Sequence, residues 1–218
     1  MTQSEAPPSA AVLISGGGTN LQALIDASAD GTLDVSIDLV VSNRADAYGL
    51  TRAKQAGIAT VVVDHRQFAD RRAFDEALAE AVAACSPDLV ILAGFMRILS
   101  GAFVEPFLGR LLNIHPSLLP KYPGLDTHQR ALDSGDHWHG STVHFVTEEL
   151  DGGPRIVQGQ VGIEPDDDAK SLAARVLSVE HQIYPYAVQL MVTGRLAWKD
   201  GGAWLDGEPL AEPLSYPP

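Results

Sequence analysis

Asn113 and His115 stand two residues apart in Asn113-Ile114-His115-Pro116-Ser117-Leu118-Leu119-Pro120, at the end of an apolar run from Gly109 to Asn113. In extended chain, side chains at i and i+2 point to the same side, so one pocket can receive a carboxamide and an imidazole. Pro116 removes a backbone donor and ends the strand, and Pro120 and Pro123 keep the following chain irregular. Further on, Asp151-Gly152-Gly153-Pro154 offers a carboxylate at a tight turn, placed to orient or proton-couple the imidazole. A carboxamide donor, a titrating imidazole and a supporting carboxylate are the parts that stabilise a tetrahedral oxyanion and move a proton. This is acyl-transfer chemistry without an obvious nucleophilic Ser or Cys. Singly, each motif also has a structural use: Asn and His beside Pro serve as loop hydrogen-bonders, and Asp-Gly-Gly is a hairpin turn. Together they point to a site.

The elements that must carry these groups read as alternating strands and helices. Ala10 to Ser15 is a short buried strand, followed by Gly16-Gly17-Gly18-Thr19-Asn20 and a helical pattern to about Ala29. Apolar strands follow at Val35 to Val41, Thr60 to Val63, Asp88 to Ala93 and Arg110 to Ile114, with helical patterns at Asp46 to Ala56 and Arg71 to Ala84. Such alternation implies right-handed crossovers and a mainly parallel, Rossmann-like twisted sheet flanked by helices in a single α/β domain. Ser141 to Val146 and Ile156 to Ile163 flank the Asp151 turn and predict an antiparallel extension in the C-terminal half. Ala169 to Val192 predicts a long helix, with Asp166 to Asp168 favourable at its start and Pro185 kinking or interrupting it. The expected organisation is a flexible segment 1–9, a domain over 10–206 and a loosely packed tail over 207–218.

The glycine loop follows a strand and opens a helix, so its amides and the helix dipole can hold a phosphate. The dinucleotide pattern G-x-G-x-x-G requires Gly where Leu21 stands, and the second strand ends in Ser42-Asn43 rather than an acid. No Walker G-K-[ST] follows. A mononucleotide phosphate fits, and so does a plain strand-to-helix turn. His128, His137, His139 and His144 crowd one region, but their spacings match no usual zinc ligand set. Polar histidines at a site rim are the alternative, with His144 on the opposite face of its strand from Val143 and Phe145.

Net charge is −13, which opposes general nucleic-acid binding yet leaves room for a small anion held by local backbone donors. The lone Cys85 excludes an intramolecular disulfide and reads as a buried structural thiol in a reducing compartment. Neither a secretory signal nor a membrane-spanning stretch is evident, so cytoplasmic residence is expected.

Several stretches resemble one known family. SGGGTNLQ, SNRADAYGL, LAGFMRILS, LLNIHPSLLPKYPGLDTH, HFVTEELDGGP and the VEHQIYP segment are similar to the folate-dependent phosphoribosylglycinamide formyltransferases of purine synthesis, from Val12 to about Asp206. LNIHPSLLP alone marks the wider formyltransferase and deformylase superfamily. Its continuation, Lys121-Tyr122-Pro123-Gly124-Leu125, is the specific part. Methionyl-tRNA formyltransferases continue with an Arg and a Gly-Ala-Ala-Pro-like stretch and add a tRNA domain. Formyltetrahydrofolate deformylases carry an N-terminal regulatory domain, whereas nine residues precede the first strand here. A non-enzymatic binder on the same scaffold would be suggested by loss of Asn113, His115 or Asp151, and all three are present.

The resemblance implies that the amine of glycinamide ribonucleotide attacks the formyl carbon of 10-formyltetrahydrofolate. It assigns Asn113 to the oxyanion, a protonated His115 to proton delivery and Asp151 to holding that imidazole, directly or through water. Gly18, Thr19 and Asn20 correspond to the ribonucleotide phosphate loop, and Glu180 to an acidic contact with the ribonucleotide. Arg71, Met96, Arg97, Ile98 and Leu99 match the folate side, with Asn113 and with Thr147, Glu148, Glu149, Leu150 and Asp151 around the pterin. Gly17 departs from members that carry Asn there, a change permissive for backbone phosphate binding. No metal, nucleic acid or membrane partner is implied, and the expected state is a monomer or homodimer.

Overall fold

A computed structural model describes residues 6–217; residues 1–5 of the expected flexible segment lie outside them. The strands are β1 (Ser9–Ile14), β2 (Ser36–Ser42), β3 (Ala59–Val62), β4 (Leu89–Leu92), β5 (Leu111–His115), β6 (Trp138–Phe145), β7 (Arg155–Gly162), β8 (Leu196–Lys199), β9 (Gly202–Leu205), β10 (Glu208–Pro209) and β11 (Leu214–Tyr216). The helices are α1 (Thr19–Ala29), α2 (Gly49–Gln55), α3 (Arg71–Ala83), α4 (Gly101–Val104), α5 (Thr127–Asp133) and α6 (Ala169–Val192).

Eight strands form one sheet in the order β11-β7-β6-β5-β4-β1-β2-β3. The pairs from β5 through β4, β1 and β2 to β3 are parallel, and β6 runs antiparallel to both β5 and β7. Alternate β1 residues face two cores. Val12 and Ile14 pack with Leu21 and Leu24 of α1, Leu50 of α2 and Tyr184 of α6, while Ala11 and Leu13 pack with Phe74 and Leu78 of α3 and Phe103 of α4. Both faces of the central strands are therefore covered, which is why β1 and β4 read as continuous apolar runs.

Between β1 and β4 the chain order turns from one side of the sheet to the other. Loops leaving the carboxyl ends of strands at such a switch point diverge and leave a crevice. The glycine loop after β1 and the segment Gly94–Ser100 after β4 stand there, and Asn113 and His115 end the neighbouring β5.

Three expectations need correction. Helix α6 runs through Pro185 without interruption. Loss of one interior hydrogen bond there is outweighed by the burial of Ile183, Tyr184, Ala187 and Val188 on both sides of it. Over the described residues 207–217 the expected tail is not loose (residue 218 lies outside them): Leu214–Tyr216 adds β11 parallel to β7, and β10 joins β8 and β9 in a small second sheet. Cys85 is only partly buried, with its thiol donating to the Val82 carbonyl.

Candidate active site

Strand β5 holds Asn113 and His115 on one side, as the i, i+2 spacing requires. Its antiparallel register with β6 places His144 directly across from Asn113 and Thr142 across from His115. The side chains meet. Asn113 Nδ2 lies 3.2 Å from His144 Nε2, and His144 Nδ1 lies 2.8 Å from the Phe145 carbonyl oxygen. A carbonyl only accepts, so the His144 proton sits on Nδ1 and its Nε2 accepts from the Asn113 carboxamide. Burial pushes His144 down to about 4, so it remains neutral near pH 7 and keeps that acceptor available. The Asn113 amide is thereby oriented, with one Nδ2 proton left for another acceptor.

His115, 6% exposed, is enclosed between two oxygens: Nε2 is 2.8 Å from the Tyr122 carbonyl and Nδ1 is 3.4 Å from Asp151 Oδ2. Both ring nitrogens face acceptors, an arrangement in which each can donate. Asp151 stands at φ 51°, and its Oδ2 also accepts the Gly124 N–H at 2.8 Å. Its Oδ1 is 3.9 Å from His144 Nε2. One carboxylate thus joins the ends of β5 and β6 to the Lys121–Gly124 segment. Gly153 is required behind the turn, because a Cβ there would meet the Phe145 oxygen at 1.8 Å.

The glycine loop is held beside this cluster. Gly18 has φ 69°, and a Cβ on it would lie 2.6 Å from the Gly49 Cα, so only glycine lets the loop approach α2 this closely. Gly18 caps α1 with no side-chain hydrogen bond, so the first-turn amides of α1 are left for an anion. The Asn20 side chain is not among those donors. It is buried, and its Nδ2 donates to Glu180 Oε2 at 2.7 Å. Ser141 Oγ lies 2.7 Å from the His115 carbonyl oxygen, to which it donates its one proton, and 3.1 Å from Glu180 Oε1. Burial raises the Glu180 carboxyl above its usual range. Asn20 and Glu180 therefore form a buried brace between α1, α6 and the back of the His115 strand end.

On the other side, Met96 and Ile98 project from the segment after β4, being 65% and 55% exposed, and Arg97 stacks over Phe74. Leu99 differs: its side chain is buried in the core with Phe103. Asp75 of α3 holds the far end of the segment, accepting from Ser100 N at 2.8 Å and Ser100 Oγ at 2.5 Å, with Arg71 Nε 3.8 Å away. Thr147–Leu150 is a mostly exposed turn whose Glu148 abuts Gly101, next to Ser100. The expected ribonucleotide and folate residues thus come from the glycine loop and first turn of α1, from α6, from the start of α3 and from the loops after β4 and β6. His128 and His139 pair with each other at 3.1 Å, and no group of three or more metal-ligating side chains occurs among the described residues.

The formyl transferase family matches residues 9–188. Over 199 residues the chain is 53% identical to phosphoribosylglycinamide formyltransferase of Escherichia coli (strain K12), covering 91% of this chain and 94% of that protein. The chain belongs to the phosphoribosylglycinamide formyltransferase family. A solved structure of a family member from Coxiella burnetii, in complex with CHES, matches at a TM-score of 0.92 and 48% identity, covering 97% of this chain and all of that one. A trifunctional purine biosynthetic protein of Homo sapiens is 45% identical over 200 residues, which span 91% of this chain and 20% of that protein. In that relative the formyltransferase-like region is one part of a longer polypeptide.

Proposed function

We propose that this chain transfers the formyl group of 10-formyltetrahydrofolate to the amine of glycinamide ribonucleotide, giving formylglycinamide ribonucleotide and tetrahydrofolate in de novo purine (IMP) synthesis. The observation that carries this reading is the convergence of Asn113, His115 and Asp151 at the carboxyl end of β5, with Asp151 3.4 Å from His115. Family membership supports the substrates.

In this reading the ribonucleotide phosphate rests on the Gly18 loop and the first-turn amides of Thr19 and Asn20. Glu180, braced by Asn20, supplies the acidic contact to the ribonucleotide in this reading. The folate lies along Met96, Arg97 and Ile98 and against Thr147–Asp151, where exposed apolar side chains and backbone groups suit a pterin. Leu99 serves through its backbone, and Arg71 stands at the outer end of that wall. The substrate amine forms a bond to the formyl carbon, and the carbonyl oxygen becomes an oxyanion facing the free Asn113 Nδ2 proton and His115. Collapse breaks the bond to the folate nitrogen. The proton lost by the amine is matched by one gained at that nitrogen, with His115 as the relay. Since His115 Nε2 is engaged by the Tyr122 carbonyl, the transfer requires the substrate to replace that partner. The reaction needs no metal, and the small soluble substrates fit a cytoplasmic protein acting as monomer or homodimer.

The test is an assay of the purified protein with both substrates, following formylated ribonucleotide. Formate release without an amine acceptor, or formylation of methionyl-tRNA, would replace this assignment.

A further inference from the structure

A buried polar chain crosses the carboxyl ends of β4, β1 and β2. The Met96 N–H donates to Ser15 Oγ at 2.8 Å, Ser15 Oγ donates to Asn43 Oδ1 at 2.6 Å, and Asn43 Nδ2 lies 3.3 Å from His65 Nδ1. The Ser15 N–H donates in turn to the Gly94 carbonyl at 3.1 Å. Ser15 and Asn43 are 5% and 3% exposed, so water is a poor substitute for either partner. The directions are fixed by chemistry. A backbone amide only donates, so the serine oxygen accepts there and gives its single proton to Asn43.

Ser15 directly precedes the glycine loop, and position alone would assign it to the ribonucleotide side. The bonds divide the other way. The glycine loop has ties of its own, from Gly49 N–H to the Gly16 carbonyl at 3.0 Å and from Arg52 Nε to the Gly17 carbonyl at 2.8 Å. The segment after β4 is held at its start by the two Ser15 bonds and at its end by Asp75. From the functional reading above, on which this step rests, we infer that Ser15 is a positioning residue for the folate and not for the ribonucleotide. Its hydroxyl sets where the Met96 backbone stands, and Asn43 sets the direction of that hydroxyl.

Calorimetric titration of the full chain with glycinamide ribonucleotide and, separately, with tetrahydrofolate tests this. Ser15→Ala leaves a buried amide and a buried carboxamide oxygen without their partner, and is expected to weaken tetrahydrofolate binding by about tenfold. Ribonucleotide binding should stay within about twofold, because the Gly49 and Arg52 ties remain. In turnover, KM for the folate should rise more than kcat falls. Asn43→Ala leaves Ser15 free to accept from Met96, so it should give a smaller loss on the same side. It carries the same test if Ser15→Ala does not fold. Equal weakening of both ligands in a folded variant, or a greater loss for the ribonucleotide, would overturn the inference while leaving the activity intact. A wild-type chain that binds neither ligand would overturn the functional reading itself, and this step with it.

Discussion

At the level of single residues, the proposed reaction separates groups that face it from groups that fix them. In that proposal Asn113 and His115 face the transferred formyl group, while Asp151 lies against the His115 imidazole and His144 against the Asn113 carboxamide. Asn113→Ala and His115→Ala should each lower kcat by roughly a hundred- to thousandfold, the effect of losing one oxyanion donor of about 2.7–4 kcal/mol, with little change in ligand dissociation constants. The double variant Asp151→Asn with His115→Ala should be hardly worse than the worse single one, since the two share a task. Additive losses in steady-state kinetics would place the chemistry elsewhere. His144→Ala frees the Asn113 amide to rotate and should reduce kcat by about tenfold, less than loss of Asn113 itself. A normal kcat in that variant would show that the amide is oriented by something else. The types and spacing of Asn113, His115 and Asp151 pointed to a site in the sequence, and the structure sets Asp151 against His115. The contact of His144 with Asn113 was not legible there, since it follows from the β5–β6 register, and nothing local specifies which residue pairs with Asn113.

At the level of elements, the parallel half of the fold was legible because buried strands and amphipathic helices leave strong periodic signals. Predicted strand bounds fall within a residue or two of the observed ones from β1 to β5. Helix α5 and the β8–β10 sheet were missed. The first is a single short stretch after a Pro-rich segment, and the second consists of strands too short for alternation to be read. Edge strand β11 lies among prolines, which usually demote a strand. The glycine loop was legible as a loop, but not in which glycine it needs. The structure distinguishes them: a Cβ at Gly17 meets nothing within 4 Å, whereas one at Gly18 meets Gly49 backbone at 2.6 Å. Gly18→Ala should therefore displace the start of α1, lower the melting temperature and weaken ribonucleotide binding, while Gly17→Ala should leave both near wild type. Paired thermal melts and ribonucleotide titrations decide this, and equal behaviour of the two variants would refute the close approach of the loop to α2.

At the level of the whole molecule, buried histidines set the response to acid. His144 and His139, 2% and 1% exposed, are both pushed down to about 4, chiefly by burial, with His128 beside His139 adding to its depression. Burial also lowers His128 and His181. In the unfolded chain these rings take up protons near pH 6.5, which the folded protein refuses until about pH 4 for the first two. Stability is thus greatest above pH 6.5 and declines as pH falls from 6.5 towards 4, each such histidine steepening the slope by up to about 1.4 kcal/mol per pH unit. Glu180 works in the opposite sense, because its raised carboxyl becomes easier to bury once protonated. The lowered carboxylates, such as Asp64 at about 2, lose their contribution only as pH falls from 3.8, the ordinary carboxylate value, towards 2. The window between 6.5 and 4 therefore belongs mainly to the histidines. Urea unfolding should show a lower midpoint at pH 5 than at pH 7, and His139→Gln or His144→Gln should flatten that dependence even where it lowers stability at pH 7. A midpoint unchanged between pH 7 and 5 in the wild-type chain would mean that these rings accept protons without unfolding, and that the neutral His144 holding Asn113 is not enforced by burial.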